Sequence, residues 1–297
     1  MLLDDLLKKK LIQPPTWLTS NCHFLTIHGS IAYGTNSDTS DFDVYGWAIP
    51  KKEIIFPHLN GEIEGFGKQK QRFDQWCQHG ILDKEAQQDG RIYDFTVYGI
   101  VRFFQLCMEN NPNVLETLFT ASDCILHITS IANIIRDNRY LFLHKGIIPK
   151  LSGYAHSQLK KAASPNKVGK RAERVRQLGW DAKHLSHVVR LALQAEDVLK
   201  FHDLDLRKHR EHVKAVKRGD ISLDEVKKWF NEQEVLLKKL EPESTLPWGP
   251  NEPKIKQLLI DCLEHHFGSL EKCVVNLDKD KNTLESIIDL LKSRDYV

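Results

Sequence analysis

Two short β-branched and aromatic runs, His23-Phe24-Leu25-Thr26-Ile27-His28 and Phe42-Asp43-Val44-Tyr45-Gly46-Trp47-Ala48-Ile49, flank the string Gly29-Ser30-Ile31-Ala32-Tyr33-Gly34-Thr35-Asn36-Ser37-Asp38-Thr39-Ser40-Asp41. Alternating apolar residues bounded by Gly and Pro predict two strands, with a short helix from Ser30 into Tyr33 and a polar turn between them. That arrangement constrains the chain more than any other feature. A strand that delivers Gly-Ser to a helix start leaves backbone N–H groups and a small hydroxyl free to meet a phosphate. Asp41 and Asp43 stand two apart, so as strand residues they project from one face. Two carboxylates on one face beside a phosphate cradle suit a pair of hard divalent cations about 3.5–4 Å apart, the geometry of two-metal phosphoryl transfer.

The string resembles the nucleotidyltransferase superfamily that includes DNA polymerase beta, whose signature is Gly-Ser, a short helix, then Asp-x-Asp on the next strand. Its extended form here, Gly-Ser-x-Ala-Tyr-Gly-Thr followed by Ser-Asp-x-Asp-x-x-Gly, is similar to the RNA repair pathway DNA polymerase beta family. Three further segments carry the likeness: Asp94 to Tyr98 running into Arg102-Phe103-Phe104, Asn111 to Glu116 with Leu118-Phe119, and Asp181 to Leu191. The likeness covers patches from about residue 25 to residue 240 and leaves out residues 51 to 90 and the C-terminal 50 or so.

The resemblance implies a nucleoside triphosphate substrate and two Mg²⁺ ions, with Mn²⁺ as an alternative. It further implies metal-holding and catalytic roles for Asp41, Asp43 and Asp94, and phosphate contacts from Gly29, Ser30, Thr35 and Ser40. Asp94 has a second reading, as the N-cap of a helix expected over Val97 to Glu109. A bare Asp-x-Asp carries little information, since Asp203-Leu204-Asp205 supplies another in the same chain.

The expected fold class is α+β. A mixed-sheet nucleotidyltransferase domain is expected over residues 1–125, and a basic helical domain over 126–297, where apolar spacing is helical and strand alternation is absent. A strand is expected at Glu53 to Phe56, a strand at Arg91 to Phe95, and one long helix over Lys170 to Leu199. Acidic residues first and lysines last along Met1 to Lys10 suit a helix and reverse the order of a signal peptide, so the expectation is a cytoplasmic protein. No apolar run approaches the ~20 residues needed to span a bilayer.

The net charge of +2 conceals a strong division. From Arg139 to Arg190 twelve Lys and Arg face two acidic residues, a surplus of ten, which leaves the remainder at −8. A one-signed block of this size in a near-neutral chain suits a polyanion, and Lys170, Arg171, Arg174 and Arg176 are its expected RNA contacts. The alternative is a solvated basic surface. Lys183, His187 and Arg190 fall at i, i+4 and i+7 on one helix face, a set of donors suited to a triphosphate or an RNA backbone. Glu116 reads as a buried acid paired with Arg102 or another base. Trp180, Trp229 and Trp248 read as core residues, with Trp180 the best placed to stack on a base.

Six cysteines without a Cys-x-x-Cys pair indicate neither a disulfide framework nor a zinc ribbon, and the Cys262, His265, His266, Cys273 group fits no common zinc spacing. The resulting expectation is transfer of a nucleoside monophosphate from an NTP to an acceptor hydroxyl, an RNA 3′ end, with release of pyrophosphate. Nucleotidylation of a protein or small molecule, and a non-catalytic RNA-binding or antitoxin module, are the alternatives.

Overall fold

A computed structural model describes residues 1–36, 40–56, 73–86, 90–164, 172–270 and 277–292, with 277–283 described by backbone alone. Five strands build one mixed sheet: β1 (Cys22–Ile27), β2 (Phe42–Ala48), β3 (Gln75–Asp83), β4 (Arg91–Gly99) and β5 (Ile125–Ile128), in the order β3-β4-β2-β1-β5. β2 and β4 are parallel, and the other neighbours are antiparallel. Around the sheet lie α1 (Leu2–Lys8), α2 (Gly29–Ala32), α3 (Lys52–Ile55), α4 (Ile100–Met108), α5 (Pro112–Leu115) and α6 (Ser130–Asp137). The rest is helical: α7 (Ile147–Ala163), α8 (Ala172–Leu178), α9 (Ala182–Phe201), α10 (Arg210–Arg218), α11 (Leu223–Glu243), α12 (Glu252–Phe267) and α13 (Leu277–Lys292). The α+β class stands as expected from the sequence.

Both faces of the sheet are covered, and the side-chain period of two divides its residues between them. Leu25, Val44, Phe95 and Val97 join Leu3 and Leu6 of α1 with Trp17 and Leu18 in one core. Phe24 and Trp47, one position out of phase, join Phe103, Phe142, Leu185, Val188 and Phe230 in a larger one. This second core runs without interruption from the sheet into the helical region, where α7, α10 and α11 pack around α9. Burying such side chains is worth about 1.5–3 kcal/mol each, so the larger core holds the sheet and helices together.

Four expectations need correction. The Ile54-Ile55 pair lies in helix α3 and not in a strand: β2 already has β1 and β4 on its two sides, so the segment that follows it cannot pair with β2 and turns into a helix after Pro50. The helix expected over 170 to 199 is two. α8 ends at Gly179, whose φ is +86°, and Asp181 caps α9 by accepting from the backbone N–H of Lys183 at 3.0 Å and of His184 at 3.2 Å. A strand does follow residue 125: β5 is four half-buried residues on the edge beside β1. Trp248 is 69% exposed with the Lys145 ammonium over its ring, so it belongs to no core. Cys22, Cys107, Cys124 and Cys262 are buried, whereas Cys77 is exposed on β3. No described helix is long and apolar enough to cross a membrane.

Candidate functional site

The site begins where β1 ends. The His28 N–H donates to the Asp43 carbonyl at 2.8 Å, and Gly29 then turns the chain with φ of +65° into α2. A Cβ on residue 29 would lie 2.2 Å from Asp43 Oδ2, so glycine is required both for the backbone turn and for the approach of that carboxylate. The N–H groups that open a helix have no intrahelical partners, and here they stand beside the Ser30 hydroxyl. Thr35 closes the turn, its N–H donating to the Ser30 carbonyl at 2.8 Å and its hydroxyl to the same oxygen at 3.4 Å.

Parallel pairing of β2 and β4 sets Asp43 directly opposite Asp94, which places their side chains on one face of the sheet. Asp94 lies in the middle of β4, six residues before α4 begins after Gly99, which removes the helix-capping reading. Its Oδ1 accepts the Gly80 N–H at 2.6 Å, and His79 Nδ1 lies 3.8 Å away. Burial, joined by the negative charges of Asp94 and Asp41, raises the Asp43 carboxyl above its ordinary pKa, while the charges of His28 and Lys183 pull the other way. Asp41 is exposed and stands one residue before β2 starts. Ser40 and Asp41 flank residues 37–39, which lie outside the described residues.

A cavity of about 130 Å³ opens on this turn, lined by Gly29, Ser30, Thr35 and Asp43 on one side and by Lys183, Ser186, His187, Arg190 and Lys217 on the other. The three α9 residues expected to act alike are placed differently. Lys183 is exposed at the mouth. His187 is half-buried, and burial aided by the charges of Arg190, Lys183 and His184 pushes its imidazole down to about 3, so it is neutral at pH 7. Arg190 is buried, its guanidinium paired with Glu116 and lying 4.2 Å from the centre of the Tyr33 ring. Glu116 also accepts from the Tyr33 hydroxyl at 2.5 Å, and His28 Nε2 approaches it at 3.3 Å. Burial alone would push the Glu116 carboxyl up, but Arg190, His28 and Tyr33 hold it down at about 2. Glu116 is therefore the buried, paired acid expected from the sequence, with Arg190 as the base in place of Arg102.

Sequence reasoning missed Lys217 and Arg207. The Lys217 ammonium donates to the Thr35 carbonyl at 2.7 Å, and burial together with the Lys183 charge lowers its pKa. Arg207 donates from Nε to the Ala32 carbonyl at 3.1 Å and from Nη1 to Asp123 at 2.8 Å. Both side chains reach from the helical region onto the backbone of the α2 turn. Nothing in their local sequence announces it, because the contact spans about 180 residues of chain. Of the expected RNA contacts, Lys170 and Arg171 lie outside the described residues. Arg174 donates to the Arg218 carbonyl, and Arg176 is exposed and paired with Glu173 at 3.0 Å.

Residues 16–286 match the model of the RNA repair pathway DNA polymerase beta family. The chain belongs to that family. Its members form a polymerase-beta-like nucleotidyltransferase family tied to RNA repair, and the match extends through the segments 51–90 and 241–286 that carry no legible likeness on their own. A search of the curated proteins finds no match. Among the described residues no three carboxylate, imidazole or thiol groups are gathered around one point at metal-ligand distance. The donor set at the site is carboxylate oxygen, and Asp43, raised first by burial and then by the charges of Asp94 and Asp41, is a group whose charged form a hard divalent cation would favour, so these residues fit Mg²⁺ or Mn²⁺.

Proposed function

We propose that this protein transfers a nucleoside monophosphate from an NTP to the 3′ hydroxyl of an RNA and releases pyrophosphate. The observation that carries the reading is the register that sets Asp43 opposite Asp94 across β2 and β4, with Asp43 lining the same cavity as the Gly29–Ser30 turn, Lys183 and Lys217. In this reading Asp41, Asp43 and Asp94 would hold divalent cations, which would supply positive charge to the transferring phosphoryl group and lower the pKa of the attacking hydroxyl. The Ser30 hydroxyl and the N–H groups after Gly29 donate to the β- and γ-phosphates, and Lys183 and Lys217 complete their charge neutralisation. Asp94 accepts the proton of the acceptor hydroxyl as its oxygen bonds to the α-phosphorus. The bond from that phosphorus to the bridging oxygen breaks, and pyrophosphate leaves with the electron pair.

Arg190 takes a different part from the one its helix position suggests. Its charge is already matched by Glu116, so it braces Tyr33 and the α2 turn, while Lys183 and Lys217 meet the phosphates. The test is incubation with each α-labelled NTP, Mg²⁺ and total RNA, followed by locating the label. Asp41→Asn and Asp43→Asn remove charge at constant volume, and each is expected to lower transfer more than 10²-fold, about 2.7 kcal/mol of transition-state stabilisation. Label in protein, or near-normal turnover in both variants, refutes the proposal.

A further inference from the structure

A second and larger concavity, of about 480 Å³, shares Thr35, Lys183 and Lys217 with the site and continues from it between α8, α9 and α10. Arg174, Lys183, Lys214, Lys217 and Arg218 give it five cationic side chains, drawn from three helices. Asp181 is the one carboxylate in the lining, and it is engaged in capping α9. Between the cations the surface is apolar, formed by Trp180 with Val175 and Ala182, and the Trp180 Nε1 is buried without a hydrogen-bond partner.

Burial, with the Lys183 charge beside it, lowers the Lys217 pKa, while Lys214 and Arg218 are held in solvent-screened ion pairs with Glu211 at 3.2 Å and Asp220 at 2.7 Å, which a phosphate can replace. Spaced cations around an aromatic and aliphatic floor match a strand that offers phosphates at intervals and a base between them. An acidic peptide supplies the charges but has no π-face for the indole. We infer that this groove binds the 3′-terminal segment of a single-stranded RNA, with a base against Trp180 and flanking phosphates on Lys214, Arg218 and Arg174, and so leads the acceptor end into the site. The inference rests on the nucleotidyl-transfer reading for the identity of the strand as acceptor, but binding is measurable without transfer.

It also redistributes the basic surplus seen in the sequence. Arg174 belongs to the groove, Arg176 does not, and Lys214, Lys217 and Arg218 join it from α10, outside the stretch where the charge count is extreme.

The test is the anisotropy of a short 5′-labelled single-stranded RNA bound to the full-length protein without NTP, across a salt series. Each phosphate contact removed flattens the slope of log affinity against log salt by about 0.7 for a single strand. Lys214→Ala combined with Arg218→Ala, neither of them a buried residue of α10, is expected to flatten it by about twice that. Trp180→Ala is expected to weaken binding on the order of tenfold, whereas Trp180→Phe keeps the ring and the affinity. Thermal melts of each variant establish that it is folded. An unchanged slope in the double variant overturns the inference, as does equal competition by polyglutamate of matched charge. Transfer is read separately on the wild type: RNA bound as expected but never labelled refutes the proposed activity and leaves the groove, while labelled RNA with unchanged affinity in the variants refutes the groove and leaves the activity.

Discussion

Glu116 shows how one buried carboxylate organises a site without entering it. Its oxygens meet Arg190 and the Tyr33 hydroxyl, with His28 Nε2 3.3 Å away, and His28 and Tyr33 are the two residues that flank the α2 turn carrying Gly29 and Ser30. Removing one member of a buried ion pair leaves the other charge uncompensated, which costs about 3–5 kcal/mol. Glu116→Gln is expected to destabilise the protein by that order, measured by urea denaturation, and a cost below about 1 kcal/mol would refute the role assigned to the pair. The same group fixes a dependence on pH. Its folded pKa of about 2 lies below the ordinary value of 4.5, so the stability it contributes is fully present above pH 4.5 and is lost as pH falls toward 2. His187, held neutral down to about 3 against an ordinary 6.5, acts in the same direction at higher pH, since the unfolded chain takes up its proton first. Stability is therefore expected to fall on acidification from pH 6.5, and His187→Gln to flatten the first part of that fall in thermal melts taken at each pH.

Two glycines of the motif separate what the strands need from what the site needs. A Cβ on Gly46 in β2 would lie 2.1 Å from the Phe24 carbonyl oxygen and 3.1 Å from its carbon, both backbone atoms of β1. Gly46→Ala must push the two central strands apart, and it is expected to destabilise by about 1–3 kcal/mol or more, read as a lowered melting temperature. Gly29→Ala meets a side chain, the Asp43 carboxylate, which can rotate away; its φ of +65° adds about 1–2 kcal/mol of backbone strain. Its expected signature is loss of transfer well beyond the loss of stability. If both variants lose stability and activity in proportion, the division between strand and site fails. These glycines, with Asp43 and the β1–turn–β2 unit, were legible in the sequence because strand alternation and turn chemistry are local signals. β3 was not legible: it is a mostly exposed edge strand interrupted by a register shift between Gln78 and Ile81, so no apolar period survives in it. The break between α8 and α9 was signalled by Gly179 and Asp181, a C-terminal glycine and an N-capping acid in the right order, but the apolar spacing on either side hid it. The long-range contacts of Arg207 and Lys217 left no local trace, because a cation that donates to a distant backbone carbonyl has the same sequence appearance as one that meets water.

The largest unit that folds as one follows from where the core lies. A boundary near residue 125 divides the chain by composition, but Phe24 and Trp47 of the sheet pack in the same buried cluster as Leu185, Val188 and Leu199 of α9 and Phe230 of α11. β5 extends the sheet to Ile128, and α6 follows at once to cover β1. Arg207 and Lys217 then fasten the α2 turn to the helical region through backbone carbonyls. A fragment ending at residue 125 would expose the aromatic side chains on that face, lose the edge strand and leave Glu116 buried beside no Arg190. Two parts that share one core unfold together, so heating is expected to give a single transition, with near-ultraviolet and far-ultraviolet circular dichroism coinciding and the calorimetric enthalpy equal to the van't Hoff value. Two separated transitions, or a fragment of residues 1–125 that melts cooperatively by itself, would show that the sheet and helices are independent and that the site is assembled by docking. Ligand linkage sharpens the comparison. In the proposed reading NTP with Mg²⁺ would contact residues from both parts, Ser30 and Asp43 on one side of the cavity and Lys183 and Lys217 on the other, so added NTP is expected to raise the one transition as a whole, by about 2.7 kcal/mol at a hundredfold excess over Kd. A rise confined to one of two transitions would place the phosphate contacts on that part alone.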